Sequence, residues 1–265
     1  MGNAELRSQL RTLATVSEAW QAYSALRIPH SALGVSCVTM ARSSTPQARK
    51  PKSAQAFTRK LLAWWARAAR DLPWRRTRDP YRVLVSEFML QQTQVSRVSE
   101  YYPRFLERFP DLESLARARP KAVREAWDGL GYYARASNLH ALARVVSKDL
   151  DGTLPDHPDE LIKLPGIGPY TAGAVASFAY EKPVPTVDTN VARVIRRVFL
   201  GEGGRGTRDG SKRIWEIAHA LVPRDGKRAW KFNQAVMELG ALICVARQPK
   251  CPQCPVRPVC RTGKG

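Results

Sequence analysis

The chain has 265 residues, of which 44% are hydrophobic, enough for one large or two small domains with a buried core. Its longest apolar runs are short and interrupted by charged residues, so the sequence predicts no membrane-spanning helix. Lys and Arg outnumber Asp and Glu by 43 to 23, a formal charge of +20 that indicates a polyanionic partner, either nucleic acid or an anionic membrane surface.

Residues 1–52 are basic and rich in Ser and Ala, and they differ in character from the rest of the chain. Three interpretations are open: a disordered basic tail, an organelle transit segment, or translated sequence upstream of a start at Met40. We favour the first and the third over the second, and we predict a disordered basic extension.

After this extension apolar residues recur at helical spacing and strand-like alternation is nearly absent, so the sequence predicts an all-α fold. A first apolar stripe at 57–65 is broken at residues 71–75. The next helix opens at Asp79-Pro80 and keeps its apolar spacing to Phe105, which predicts one continuous helix. Further helices are predicted over 112–118, 122–130, 132–146, 191–199, 214–221 and 232–243, with a glycine-rich mobile loop at 201–210.

A glycine-containing turn, Leu164-Pro165-Gly166-Ile167-Gly168-Pro169, separates two helical runs. Glycine permits positive φ and has no Cβ, so the backbone N–H groups of this turn can approach an anion at the N-terminus of the next helix. Ile167 would then insert into the core and hold the turn. The alternative is an ordinary helix–turn–helix without a ligand, since glycine turns between helices are common.

Four cysteines near the end of the sequence are spaced C-x6-C-x2-C-x5-C, at Cys244, Cys251, Cys254 and Cys260. Thiolates are soft ligands that suit zinc or iron–sulfur clusters. Structural zinc commonly uses two C-x2-C pairs and only one is present, whereas four unevenly spaced ligands in one short loop favour a [4Fe-4S] cluster. We therefore predict an iron–sulfur ligand set in a reducing, cytoplasmic compartment, with zinc as the alternative.

Two carboxylates are candidates for acid–base chemistry. Glu87 lies in a mostly apolar helix, where desolvation would favour its protonated form, and Gln91 and Gln94 would share its helix face. Taken alone, Glu87 is more commonly a partly buried residue paired with an arginine. Asp188 taken alone predicts the N-cap of the helix at 191–199 as readily as a catalytic group.

Together these features resemble the helix–hairpin–helix base-excision DNA glycosylases that carry an iron–sulfur cluster. The two main branches of that superfamily are the endonuclease III group and the MutY-type adenine glycosylases. Three further stretches are similar to the MutY-type branch: Leu72-Pro73-Trp74-Arg75, Ser86-Glu87-Phe88-Met89-Leu90-Gln91-Gln92-Thr93-Gln94-Val95 and Gly129-Leu130-Gly131-Tyr132-Tyr133-Ala134-Arg135. The resemblance covers about residues 53–261.

The resemblance implies a six-helix barrel, here residues 78–186, joined to an iron–sulfur cluster domain built from residues 53–77 and 187–265. It also implies a monomer that binds double-stranded DNA containing a mismatch or an oxidised base. The target nucleotide is flipped into the cleft between the two parts, because stacking otherwise hides the glycosidic bond. The resemblance assigns DNA contacts to Gln92, Tyr132, Gly166, Ile167, Gly168 and Thr171, the first two entering the base stack that the nucleotide left.

For catalysis the resemblance implies that Glu87 is the general acid that protonates the departing purine. Asp188 resembles the carboxylate that stabilises the positively charged sugar, and Tyr170 and Asn190 resemble its supporting groups. The chemistry agrees, because breaking an N-glycosidic bond requires a proton on the base and negative charge near an oxocarbenium-like sugar.

One substitution separates this chain from the lyase members of the superfamily. Those members use a hairpin lysine that attacks the sugar as a Schiff-base nucleophile. Tyr170 stands at that position, and a phenol cannot form an imine. We therefore expect removal of adenine opposite 8-oxoguanine or guanine without AP-lyase activity.

The sequence also departs from the MutY-type pattern. It ends five residues after Cys260, where those enzymes continue into a domain that recognises 8-oxoguanine, so the resemblance is to a short form. Thr189 replaces the usual glycine after Asp188. The alternative is a thymine or uracil glycosylase acting opposite guanine, although Gln91-Gln92-Thr93-Gln94 favours adenine. A non-catalytic iron–sulfur DNA-binding protein is more remote, because it predicts loss of Glu87 or Asp188.

Overall fold

The computed structural model describes residues 51–201 and 208–263. These residues form α-helices and short 3-10 turns with no strand, so the predicted all-α fold is confirmed. The extension predicted at 1–52 lies outside the described residues except at its end, and so does most of the predicted loop at 201–210. No helix in the described part of the chain is both long and apolar enough to cross a membrane.

Eleven α-helices follow one another in the described ranges. In chain order they are α1 (Ala54–Ala68), α2 (Pro80–Leu90), α3 (Val95–Arg108), α4 (Leu112–Arg117), α5 (Pro120–Ala126), α6 (Ala134–Asp149), α7 (Pro158–Leu161), α8 (Pro169–Phe178), α9 (Thr189–Ile195), α10 (Arg208–Leu221) and α11 (Gly226–Leu242). A π-helical turn at Arg196–Leu200 continues α9. Single 3-10 turns lie at Pro73–Arg75, Cys251–Gln253 and Arg257–Val259.

Aspartate side chains begin several of these helices. Asp79, Asp188 and Asp225 each accept a hydrogen bond from the backbone N–H three residues further on, so each satisfies one N–H that lacks a partner inside the helix. Such an N-cap stabilises a helix by about 1 kcal/mol. The predicted cap at Asp188 is therefore confirmed, although its helix begins at Thr189 rather than Val191.

The single helix predicted from Asp79 to Phe105 is wrong. The structure has α2 and α3 there, separated by a turn at residues 91–94 in which Gln92 has φ 56°, a left-handed conformation that ends the helix. Both helices pack on one hydrophobic core, so the apolar spacing continues across the break. Periodicity alone therefore could not reveal the turn.

Two hydrophobic cores organise the described chain. The first contains side chains from α2 to α8, among them the fully buried Phe88, Phe105 and Trp127. The second contains side chains from α1, α9, α10, α11 and the cysteine-containing end. A small cluster joins the two parts and consists of Val83, Ala174, Phe178, Ala179 and Trp230.

An ion group attaches the segment between α1 and α2 to α11. The Glu238 side chain is fully buried, and its Oε2 lies 2.8 Å from Nη2 of Arg70 and 2.8 Å from Nη2 of Arg75. Burial alone would raise the pKa of Glu238, but the hydrogen bonds from these two arginines lower it to about 2. The carboxylate therefore stays charged and holds both cations against the helix.

Candidate functional site

Helix α2 carries Glu87 into the interior, where the residue is only 3% exposed. Burial raises the pKa of Glu87, and the charge of Asp188 raises it further. Hydrogen bonding with Tyr170 and the charge of Arg75 oppose this shift, and the resulting pKa is about 7. Burial also raises the pKa of Tyr170 well above its ordinary value. The phenol is therefore a neutral donor beside a carboxyl group that can hold a proton near neutral pH.

Asp188 is fixed at the start of α9 by two hydrogen bonds. Its Oδ1 accepts from the backbone N–H of Val191 at 2.7 Å, and its Oδ2 accepts from Nδ2 of Asn190 at 2.9 Å. The carboxylate thus serves as a helix cap and also lies near enough to act electrostatically on Glu87 and Tyr170. The structure brings together all four residues predicted for catalysis.

Two glycines allow the elements behind this site to approach closely. A Cβ on Gly173 of α8 would lie 2.5 Å from the carbonyl oxygen of Pro185, in the segment that leads to Asp188. A Cβ on Gly240 of α11 would lie 2.7 Å from Cβ of Asn190. Side chains at these positions would push the Asp188 carboxylate and its amide partner, Asn190, out of place.

A further arginine, which the sequence reasoning missed, links this site to the cysteines. Nη2 of Arg193 donates to Oδ1 of Asn190 at 2.7 Å, and its Nε donates to the carbonyl oxygen of Cys244 at 2.7 Å. A chain of hydrogen bonds therefore runs from Asp188 to the first cysteine. The only sequence signal was an arginine three residues after Asn190 on a predicted helix, which is a common arrangement.

The predicted hairpin lies between α7 and α8. Gly166 has φ 75°, and a Cβ there would lie 2.6 Å from Cβ of Asn138, so only glycine fits. Ile167 is 5% exposed and belongs to the first core, as predicted, whereas a Cβ on Gly168 would meet nothing within 4 Å. Thr171 is 3% exposed, so its side chain faces inward.

Gln92 and Tyr132, predicted to enter a base stack, lie on two exposed loops. Tyr132 is 60% exposed, and both residues have left-handed backbones, with φ 56° and 47°. Because α2 ends at Leu90, Gln91 and Gln94 do not continue the helix face of Glu87, which corrects that prediction. Arg135, for which the sequence suggested no role, contacts both loops.

The four cysteines surround one cavity of about 50 Å³, whose lining includes Cys244, Cys251, Cys254 and Cys260. Nη1 of Arg197 lies 3.5 Å from Sγ of Cys244. Burial, together with the charges of the other three thiols, raises the pKa of Cys254 to about 11. In the described ranges no three His, Cys, Asp or Glu side chains are grouped tightly enough for a single metal ion. Four thiol groups around one cavity form a donor set of the kind that holds iron–sulfur clusters.

Comparison with known proteins identifies relatives over most of the chain. The family model for HhH-GPD superfamily base excision DNA repair proteins matches residues 85–220. An adenine DNA glycosylase of Mycolicibacterium smegmatis is 47% identical over 197 residues, covering 74% of this chain and 66% of that protein. The adenine DNA glycosylase of Rattus norvegicus is 44% identical over 215 residues, covering 78% of this chain and 41% of that protein. The chain thus spans less than two thirds of the length of these curated relatives.

Solved structures show the same fold. A thermostable thymine-DNA glycosylase has a TM-score of 0.74 at 34% identity, covering 80% of this chain and 97% of that structure. An endonuclease III–DNA covalent intermediate has a TM-score of 0.67 at 25% identity, with coverage of 80% and 97%. With the fold, the hairpin and the paired carboxyl groups in agreement, the chain belongs to the HhH-GPD superfamily of base excision DNA repair proteins.

Proposed function

We propose that this chain is a monofunctional adenine DNA glycosylase, which hydrolyses the N-glycosidic bond of adenine mispaired with 8-oxoguanine or guanine. One observation carries the proposal: Glu87 is buried, its pKa is raised to about 7, and it lies beside the fixed carboxylate of Asp188. Two carboxyl groups held in such different environments can divide the roles of acid and charge stabiliser. The adenine DNA glycosylases at 44–47% identity support the choice of base.

In this mechanism Glu87 donates its proton to a ring nitrogen of adenine, so the base departs as a neutral purine. A water molecule then adds to the sugar carbon and loses a proton to the medium or to the Glu87 carboxylate. General acid catalysis of this kind contributes about 10²–10⁴-fold to a rate. Tyr170 lies beside the carboxyl group as a neutral phenol, and it forms no covalent bond to the sugar.

Asp188 stabilises the positive charge that develops on the sugar as the bond breaks. Its two hydrogen bonds, from Val191 N–H and Asn190, fix the carboxylate before the substrate arrives. No reorganisation is then needed during the reaction, which is the condition under which fixed charges are most effective.

The DNA would lie across the hairpin and the two exposed loops. The open face of Gly168, at the N-cap of α8, allows a phosphate to approach backbone N–H groups. Gln92 and Tyr132 are exposed enough to replace the flipped nucleotide in the stack. The formal charge of +20 supplies attraction that does not depend on base sequence.

A [4Fe-4S] cluster is the group that we propose for the cysteine cavity. Cys244, Cys251, Cys254 and Cys260 would hold it, since thiolates are the usual ligands of such clusters. The cluster would supply a cationic cross-link that fixes the loop after α11, and no step of base removal depends on it. The basic side chains between the cysteines would then be presented to DNA phosphates.

Single-turnover base release from a set of duplexes tests the proposed reaction. The set contains A:8-oxoG, A:G, A:C, T:G and U:G pairs, and Glu87→Gln and Asp188→Asn are the matched controls. We expect adenine release by the wild type, and a loss of about 10²-fold or more in each variant with duplex binding retained. Products should be alkali-labile abasic sites. Strand breaks without alkali, or a borohydride-trapped complex, would contradict the role of Tyr170.

A thymine or uracil glycosylase is the second candidate, favoured by the fold similarity to a thymine-DNA glycosylase. The same duplex set separates the two. Release of thymine or uracil with adenine untouched would establish this candidate and overturn the adenine proposal.

A further inference from the structure

Arg135 lies at the start of α6, is 7% exposed and donates hydrogen bonds on two sides. Its Nη1 donates to the carbonyl oxygens of Phe88 at 3.0 Å and Met89 at 2.7 Å, and also to that of Gln91. These carbonyls form the C-terminal end of α2, which carries partial negative charge and lacks helical partners. One side of the guanidinium therefore holds the start of the loop at residues 91–94, the Gln92 loop.

The other side of the guanidinium holds a second loop. Nη2 of Arg135 donates to the carbonyl oxygens of Leu130 and Gly131, both at 3.1 Å, and to Oγ1 of Thr93 at 3.0 Å. Leu130 and Gly131 immediately precede Tyr132 in the loop at residues 129–133, the Tyr132 loop. One planar group thus joins two loops that are far apart in the sequence.

Both loops have backbones that need external support. Gln92 and Tyr132 occupy left-handed conformations, which are unfavourable for residues with a Cβ and persist only where surrounding contacts hold them. The ring of Tyr132 lies over Arg135, with 5.5 Å between the guanidinium carbon and the ring centroid. Arg135 therefore supports both the backbone and the ring of the exposed tyrosine.

A second arginine holds the Tyr132 loop from the side of α3. Nε of Arg97 donates to the carbonyl oxygen of Gly129 at 2.7 Å. A Cβ on Gly129 would lie 2.3 Å from Oη of Tyr101, so the loop rests directly on that ring. Arg97 is exposed, so replacing it leaves the hydrophobic core intact.

We propose that Arg135, assisted by Arg97, is a positioning residue for nucleotide flipping. It fixes the Gln92 loop and the Tyr132 loop at one separation, so that the two exposed side chains enter the base stack as a single rigid unit. Flipping requires that the vacated space be filled while the target is held out. If the two loops moved independently, each would enter the stack less often and the flipped state would be shorter-lived. The inference rests on the proposed function, because it concerns how that site acts on DNA.

The test uses three variants of the full chain. Arg135→Lys keeps the charge but loses the planar fork that serves two loops at once. Arg97→Met keeps the aliphatic stem and removes the hydrogen bond to Gly129. Arg144→Met, an exposed arginine further along α6, controls for the loss of one positive charge.

Hydrogen–deuterium exchange on the DNA-free protein gives the first measurement. In Arg135→Lys we expect amide exchange in both loops to rise together by roughly tenfold, as expected from losing one charge-assisted hydrogen bond. Exchange in the hairpin at 164–169 should stay as in the wild type. In Arg97→Met only the Tyr132 loop should loosen, and in Arg144→Met neither. Unchanged loops in both Arg135→Lys and Arg97→Met, or loosening that includes the hairpin, would overturn the proposal.

Flipping is measured in a Glu87→Gln background, in which base release is blocked, with 2-aminopurine beside the target adenine. We expect the rate of the fluorescence rise to fall by roughly tenfold in Arg135→Lys and less in Arg97→Met, since small misplacements carry large rate costs. Affinity for a fully paired duplex should change less than twofold. Equal losses for paired and mismatched duplexes would show a general loss of DNA binding and reject the positioning role.

If Arg135→Lys does not fold, Arg97→Met still tests the proposal, through amide exchange in the Tyr132 loop and through the flipping rate. The exchange measurement needs no activity, so its outcome stands even if the wild type releases no base from any duplex. A wild type that releases no base from any duplex would overturn the proposed function but not the positioning role of Arg135.

Discussion

Glu87 owes its chemistry to its surroundings rather than to its neighbours in the sequence. A carboxyl group that is 3% exposed on an apolar helix loses most of its hydration, which favours the neutral acid. Tyr170 and Arg75 oppose this effect, and the pKa is raised to about 7. Such a value is useful to a general acid, because the group is both protonated and a good donor near neutral pH.

The raised pKa predicts the pH dependence of base release. The acid form is the active one, so the single-turnover rate should be level below pH 7 and fall about tenfold per pH unit above it. The sign follows because deprotonation removes the proton that the base must receive. Rates measured from pH 5 to pH 9 on an A:G duplex test this, and Glu87→Gln should lose the dependence. A rate that rises above pH 7 would contradict Glu87 as the acid.

At the scale of elements, the attachment of the segment between α1 and α2 to α11 depends on charge. Arg70 and Arg75 reach Glu238 from the chain segment just before α2, and Nε of Arg75 also donates to Gln234 at 2.8 Å. This attachment places Arg75 where its charge acts on Glu87. The packing of α11 therefore influences the pKa of Glu87 on α2.

We predict that Glu238→Gln destabilises the protein by about 3 kcal/mol, because it leaves two arginines without their shared buried partner. In urea the midpoint of unfolding should fall with little change in slope. Glu216→Gln, at an exposed position of α10, is the control and should change stability by less than about 0.5 kcal/mol. Equal midpoints for the two variants would show that the ion group contributes no stability.

The charge of Glu238 also predicts acid sensitivity. Its pKa is lowered from 4.5 to about 2 in the folded protein, so its contribution to stability is complete above pH 4.5. That contribution is lost as the pH falls from 4.5 toward 2. The difference in unfolding free energy between the wild type and Glu238→Gln should therefore shrink across this interval. A difference that is constant with pH would contradict the shift.

At the scale of the whole molecule, the residues proposed for catalysis lie where the two cores meet. Glu87 belongs to α2, which packs in the first core. Asp188 caps α9 and Asn190 lies in α9, which packs in the second core. Hydrogen bonds through Arg193 connect these residues to Cys244. The geometry of the site thus depends on how firmly the cysteine loop is held.

For the proposed cluster we predict that natively purified protein is brown and contains iron and acid-labile sulfide. Cys254→Ser should lose the colour, lower stability and weaken duplex binding, because metal binding and folding are coupled. Metal analysis, visible absorption and a binding titration are the measurements. Ser211 is an exposed residue outside the cysteine segment, and Ser211→Cys is the control for a change in the number of thiols. Stoichiometric zinc without iron would overturn the cluster assignment.

Much of this protein was predictable from the sequence. The absence of strand-like alternation predicted the all-α fold, because backbone periodicity is a local property. The positive φ at Gly166 and the burial of Ile167 followed from residue types alone. The cap at Asp188 did as well, because its partner is only three residues away.

Other features were decided by the tertiary structure. The carbonyls at the break after Leu90 are bound by a guanidinium from α6, and the state of Glu87 depends on Tyr170, Asp188 and Arg75 from three separate segments. Hydrogen bonds and electrostatic forces act over a few ångströms in space without regard to distance along the chain. A pattern of spacings can therefore name the residues of this site, but only the folded chain determines which of them share a proton, a charge or a loop.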